Sequence, residues 1–352
     1  MRTLLLIPCL GALLAGAATP PRPGNWWQRA FDEARGWVAS AREARPDRAW
    51  GVSILEPDGS RTPAPDAVAL PARLVVLIHG LDEPGGVWDE LITELRAAGL
   101  ATAVLDYPND QAIRESTLLA LDSLRGLRAR GVTTVDLVCH SMGGLIARDL
   151  LALESGYAGA ERGHDDLPDV DRLIMIGTPH QGSAWARARV AGEVREQVAR
   201  WIEREDWREL LGFRVDGQGE AAADLLPGSA FLAALNLHPL PEGVRATAIV
   251  GDLTPLGVAD GTWASELPDR LASGLGLNAG ALAGVASEVG DGVVPVSSAR
   301  DCPGVDRVVF VRASHRGMLR SMAAERAYWS LVGEAPPASP PALAEVLRLL
   351  LE

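Results

Sequence analysis

The chain has 352 residues, 47% of them hydrophobic and 22% charged, enough to bury one large α/β core or two smaller ones. With 33 basic against 46 acidic side chains its net charge is −13, which argues against nucleic acid or an anionic membrane surface as the main electrostatic partner. Lysine is absent, so every basic side chain is an arginine.

Residues 1–18 carry one early positive charge at Arg2, an apolar run from Leu4 to Leu14, and the small residues Ala15, Gly16, Ala17 and Ala18. That is the build of a secretory signal peptide cleaved near Ala17 or Ala18, and it makes an exported protein, periplasmic or extracellular, the expectation. The run is shorter than the roughly 20 residues a spanning helix needs. Cys9 follows Pro8 in mid-run without small residues before it, so lipid attachment is not expected. Removal of the segment leaves Cys139 and Cys302, expected as free thiols unless the fold brings them together.

Residues 19–48 begin Pro-rich and continue as a helix capped by Asn25, with Trp27, Phe31, Ala34 and Val38 at helical spacing. A short strand from Trp50 to Leu55 ends at the turn signal Pro57-Asp58-Gly59. Arg73 to Ile78 is a near-continuous aliphatic run, the signature of a parallel strand covered on both faces. A helical pattern follows (Trp88, Leu91, Ile92, Leu95), then a strand from Ala101 to Leu105. The next helix, capped by Asn109 or Asp110, carries Ile113, Leu118, Leu121, Leu124 and Leu127. A strand from Val135 to Val138 then leads through Cys139-His140-Ser141-Met142-Gly143-Gly144 into a helix running to Leu153, and another strand covers Arg172 to Ile176. Repeated βα units with aliphatic strands predict an α/β fold with a doubly wound, mostly parallel sheet over residues 49–332.

The alternation stops after Gly177-Thr178-Pro179-His180-Gln181-Gly182-Ser183. Residues 183–244 are helical in pattern, which reads either as a cap over the rim of the site or as helices that flank the sheet. After a strand from Ala246 to Val250 comes an irregular Gly-, Ala- and Leu-rich region from Thr254 to Gly290. The last strand, Arg307 to Val311, leads to Ser314-His315 and a helix ending near Leu331. Residues 333–352 form a Pro-rich linker and an amphipathic helix, expected to dock on the domain, the alternative being contact with a partner or a membrane.

Chemistry enters at Ser141. A strand, a tight turn and a helix around a serine make a nucleophile elbow of the G-x-S-x-G kind, with Cys139 in place of the first glycine. A serine hydroxyl needs a base, a group that orients the base, and donors for the oxyanion. His315, just past the last strand, preserves the order serine, acid, histidine, with His180 as the alternative base. His140 adjoins the serine but is expected to point away from the pocket. Asp291, in a glycine-flanked turn, is the favoured acid and Asp252 its rival. The backbone N–H groups of Leu81 and Met142 are the expected oxyanion donors.

Taken together, Leu77-Ile78-His79-Gly80-Leu81, Asp106-Tyr107-Pro108, His140-Ser141-Met142-Gly143-Gly144, Gly177 to Ser183, Asp291 to Val296 and Ser314-His315 resemble the α/β-hydrolase superfamily and, within it, the lipase and esterase group. The resemblance implies a Ser141, Asp291, His315 triad that cleaves a small-molecule or lipid ester through an acyl-enzyme. It implies neither a metal nor an organic cofactor, no obligate protein partner, and at most transient contact with a lipid interface. His180 becomes either a structural or a substrate-lining residue beside the pocket, and Tyr107 a possible substrate-lining one. An acyltransferase or an amide or thioester hydrolase would share the acyl-enzyme and differ in leaving group and acceptor. A non-catalytic binding protein would keep the fold without turnover.

Overall fold

The computed structural model describes residues 50–56, 58–64, 70–81, 86–108, 111–153, 166–183, 220–253, 290–321 and 335–352. The expected signal segment, the helix within 19–48, the cap residues 184–219, the irregular region 254–289 and the helix ending near Leu331 lie outside the described residues. Within them, eight strands form one sheet: β1 (Gly51–Leu55), β2 (Arg61–Pro63), β3 (Arg73–Ile78), β4 (Thr102–Asp106), β5 (Thr134–His140), β6 (Asp169–Ile176), β7 (Arg245–Gly251) and β8 (Arg307–Val311). Their spatial order is β2-β1-β4-β3-β5-β6-β7-β8. From β4 to β8 every pair is parallel, while β1 runs antiparallel to both β2 and β4. The helices are α1 (Asp89–Ala97), α2 (Ile113–Ala129), α3 (Met142–Ala152), α4 (Glu220–Asp224), α5 (Ala230–Leu235), α6 (Val296–Arg300) and α7 (Pro341–Leu351).

The aliphatic runs are continuous because each strand feeds two cores. In β3, Leu74, Val76 and Ile78 join the cluster under α2 and α3, while Val75 and Leu77 join the one under α1 and α7. In β5, Val135, Leu137 and Cys139 face α3, and Val138 faces the other way. Apolar residues on both sides of the pleat are what a sheet sandwiched between helices requires.

Three local features depart from the sequence pattern. β6 begins at Asp169, three residues ahead of the expected Arg172, because its polar start is held by charges. Arg73 pairs with Asp136 at 2.7 Å and with Asp171 at 2.5 Å, Arg172 reaches Asp136 at 3.4 Å and Arg245 reaches Asp171 at 2.7 Å, and this ladder ties β3, β5, β6 and β7 together at their N-terminal ends. β2 is a three-residue edge strand whose Arg-Thr-Pro sequence gives no apolar alternation. It forms because the turn after β1 closes a hairpin, Glu56 N–H donating to Ser60 O and Gly59 N–H to Glu56 O, both at 2.9 Å. The N-terminus of α2 is held by the carboxylate of Asp224, which accepts from Ile113 N–H at 3.0 Å, so a side chain from α4 supplies this contact across the fold. The expected caps, Asn109 and Asp110, lie outside the described residues.

The C-terminal helix packs on the domain. α7 buries Ala342, Leu343, Val346, Leu349 and Leu350, with Pro341 at its first turn. Arg172 Nε donates to Leu349 O at 2.8 Å, and Ala342 N–H to Met318 O at 3.1 Å. No described helix is long and apolar enough to cross a membrane. Because Val346 is fully buried, Val346→Ala is expected to cost about 2 kcal/mol, the transfer of two methyl groups plus the space they leave. Urea denaturation checks this; an unchanged midpoint would mean that the helix does not contribute to the core.

Candidate active site

The site is built from the C-terminal ends of the parallel strands. Ser141 leaves β5 with φ 53° and ψ −127°, and among the described residues it is the one non-glycine residue with positive φ. Such a conformation costs on the order of 1–3 kcal/mol and needs the surroundings to hold it. Two things hold it here. The Ser141 N–H donates to Ile176 O of β6 at 2.9 Å. The start of α3 is pressed against neighbouring turns: a Cβ on Gly143 would lie 2.2 Å from Ile78 O and 2.6 Å from His79 O, and one on Gly144 would lie 2.1 Å from Thr178 Oγ1. Both glycines are therefore required by the close approach of backbone to backbone and of helix to loop.

The histidine and the acid meet beyond β8 and β7. His315 Nδ1 lies 2.7 Å from Asp291 Oδ2, and His315 N–H donates to Asp291 O at 2.9 Å. The other carboxylate oxygen, Oδ1, accepts from Val293 N–H at 2.9 Å and Val294 N–H at 2.7 Å. With an acceptor facing Nδ1, the ring's proton belongs there, which makes Nε2 of the neutral imidazole a proton acceptor. Of the two aspartates weighed from the sequence, Asp291 makes this contact; Asp252 directly follows β7, and its N–H donates to Val311 O at 2.9 Å. Gly177, with φ 58°, clears the space: a Cβ there would sit 3.1 Å from both Asp291 Oδ2 and His315 Nδ1.

His140, expected to point away from the pocket, is fully buried and bonded to the segment that carries the histidine. Its Nε2 donates to His315 O at 3.0 Å, and the two rings lie 4.6 Å apart at 41°. The pleat turns His140 toward the face it shares with Val138, and the segment carrying Ala313, Met318 and Leu319 packs on that face.

The turn after β3 is braced from below. Tyr107 O–H donates to His79 O at 2.5 Å, His79 Nδ1 donates to Gly80 O at 2.8 Å, and the two rings stack at 4.4 Å. Tyr107 is 1% exposed, and its ring supports the turn that leads to Leu81. Because Gly143 abuts Ile78 and His79, the Leu81 turn and the Met142 end of α3 are neighbours.

Of the places weighed for His180, its surroundings agree with the structural one. It is fully buried, and its Nδ1 accepts from Arg148 Nη1 at 3.2 Å. Burial, and then the Arg148 charge, hold its pKa well below the ordinary imidazole value. Its loop is sewn to the acid's loop: Ser183 Oγ donates to Val293 O at 2.5 Å, Ser298 Oγ donates to Gly182 O at 2.6 Å, and Gln181 N–H donates to Ser298 Oγ at 3.0 Å. The Gly177 to Ser183 motif thus positions Asp291. Cys139 and Cys302 are free thiols, both buried; burial pushes the Cys139 thiol up and the Cys302 thiol up to about 11. Among the described residues no group of three or more His, Cys, Asp or Glu is placed to hold a metal ion.

A mostly parallel sheet in this order, a strained serine between β5 and α3, and an Asp-His pair beyond the following strands define an α/β-hydrolase fold. A family model for the PGAP1-like alpha/beta domain matches residues 110–213, a span that contains the elbow. Comparison with curated proteins finds no match. Among solved structures, the chain is similar to Staphylococcus hyicus lipase, at 14% identity over 80% of this chain and 95% of that one, with a TM-score of 0.49. It is also similar to the mature form of Bacillus licheniformis lipase BlEst2, at 18% identity over 75% and 94% of the two chains, with a TM-score of 0.46. Phospholipase PlaB from Legionella pneumophila matches at 16% identity over 80% and 60%, with a TM-score of 0.48.

Two outcomes test these contacts. Gly143→Ala forces a methyl group into two backbone carbonyls, so it is expected to lose about 3 kcal/mol or more of stability, read from urea unfolding. His180, whose folded pKa is depressed, contributes stability that is present above its unfolded pKa near 6.5 and lost as pH falls through the folded value. His180→Asn keeps an acceptor for Arg148 but does not titrate, so its stability should fall less than that of the wild type between pH about 7.5 and about 5. Equal losses in the two proteins would remove His180 from the acid response.

Proposed function

We propose that the chain is an exported serine carboxylic-ester hydrolase of the lipase or esterase type, acting through an acyl-enzyme on Ser141. One observation carries this reading: the Asp291–His315 pair, with its 2.7 Å bond to Nδ1, supplies a histidine in the tautomer a general base needs, at the same sheet edge as a serine held in a strained elbow.

In the proposed reaction, Ser141 Oγ attacks the ester carbonyl while His315 Nε2 takes the hydroxyl proton. Asp291 keeps the imidazole oriented and stabilises the imidazolium that forms. Negative charge gathers on the former carbonyl oxygen, where the N–H groups of Leu81 and Met142 donate to it. Collapse expels the alcohol, which receives the proton from His315. A water then repeats the sequence, with His315 again as base, and releases the acid. Acyl transfer would differ only in the second acceptor, and an alcohol in place of water separates the two by product analysis. The signal-like composition of residues 1–18 supports export.

Ser141→Ala is expected to lose at least about 10³-fold in kcat/KM on p-nitrophenyl esters while retaining its unfolding midpoint, with His315→Gln and Asp291→Asn also strongly impaired. A panel of esters of graded acyl length on the mature protein measures the effect and ranks the substrates. Full turnover by Ser141→Ala would overturn the reading.

A further inference from the structure

The proposed chemistry uses His315 through its ring, yet the residue is also held through its backbone. Its N–H and Nδ1 are engaged by Asp291, at 2.9 and 2.7 Å, and its carbonyl accepts from His140 Nε2 at 3.0 Å. His140 is the last residue of β5, so the strand that presents Ser141 is hydrogen-bonded through its final side chain to the residue that would deprotonate Ser141. The bond is fully buried: His140 is 0% exposed and Trp88, also fully buried, meets its ring edge-on at 6.4 Å and 84°.

We infer that His140 is a positioning residue for the Ser141 and His315 pair, acting through the Nε2–H bond to the His315 carbonyl. This rests on the proposed function and adds to it a second histidine with its own task. The physical reason is the length of chain between the partners. Ser141 and His315 are 174 positions apart by their numbers in the sequence, and they belong to loops on different strands, so nothing covalent sets their separation. Reaction rates fall steeply when reacting groups are misplaced, by about 10²-fold for roughly 1 Å. The β8 backbone and the Asp291 loop place His315 relative to Asp291, and β8 reaches β5 only across the intervening strands β7 and β6. The His140 bond links the two directly, one residue from the nucleophile. The contact also fixes the His140 tautomer, because a carbonyl can only accept: the proton is on Nε2. Two rings 4.6 Å apart further restrict the rotation of the His315 side chain by simple packing, and a planar ring at position 140 would preserve that part of the effect.

The test separates the hydrogen bond from the packing. A fluorophosphonate probe is reacted with the mature protein and the rate of labelling at Ser141 is measured by peptide mapping, with unfolding midpoints recorded for each variant. His140→Phe keeps a planar ring without a donor, and His140→Gln carries an amide N–H that can reach the same carbonyl. The inference expects His140→Phe to label about 10²-fold more slowly than wild type, and His140→Gln to recover to within about fivefold. Histidine 15N resonances of the wild-type protein should show His140 as the Nε2–H tautomer. Labelling of His140→Phe at the wild-type rate overturns the inference and leaves packing alone, as does equal slowing of both variants, which would show that a donor at position 140 does not restore the rate. If wild-type protein does not label at Ser141, the proposed function itself fails; if it labels normally and His140→Phe is unaffected, only the role of His140 falls.

Discussion

The structure turns on one strained backbone. Ser141 sits at φ 53° and ψ −127° between a strand and a helix, a conformation an L-residue adopts only when its surroundings enforce it. The enforcement comes from both sides of β5: β6 accepts the Ser141 N–H, and the turn after β3 leaves no room for a side chain at Gly143. Neither contact exists without the parallel pairing of β3, β5 and β6 in the observed register. The central sheet is thus the device that keeps a serine where its hydroxyl projects from the edge.

The remaining polar groups at that edge are placed by loops that brace one another. Asp291 receives two backbone N–H bonds and the His315 ring, and its loop is tied by Ser183 and Ser298 to the loop that follows β6. Gly177 and Gly251 leave the volume in which the aspartate and histidine meet. A carboxylate held by these bonds orients the imidazole with little reorganisation, the condition under which electrostatic stabilisation is most effective. Tyr107 gives the turn after β3 the same kind of support, through a hydrogen bond to the His79 carbonyl.

Much of the fold was legible in the sequence for a physical reason: strands buried on both faces need aliphatic runs, and Leu74 to Ile78 is one, as is Val135 to Val138 apart from Asp136. The elbow was legible because its glycines follow from local crowding. β2 was not, since a three-residue edge strand carries no periodicity, and the start of β6 was hidden by the charges that anchor it. Side-chain surroundings were harder still. Those of His140, His180 and Tyr107 are made by segments remote in the chain: the loop after β8, the side chain of Arg148 and the turn after β3. The choice between Asp291 and Asp252 likewise depended on how a loop returns across the sheet. The one signal in reach for His140 was the pleat, which puts it on the face of Val138; the sequence does not say that the His315 segment covers that face.

The central claim is that Ser141 forms a covalent acyl intermediate with an ester. It is tested most directly by quenching the mature protein in acid during turnover of a p-nitrophenyl ester and mapping the acylated peptide by mass spectrometry. The account predicts an acyl group on Ser141 and on no other residue, with accumulation raised when deacylation is slowed. Turnover of the ester with the acyl group on a different residue would contradict it.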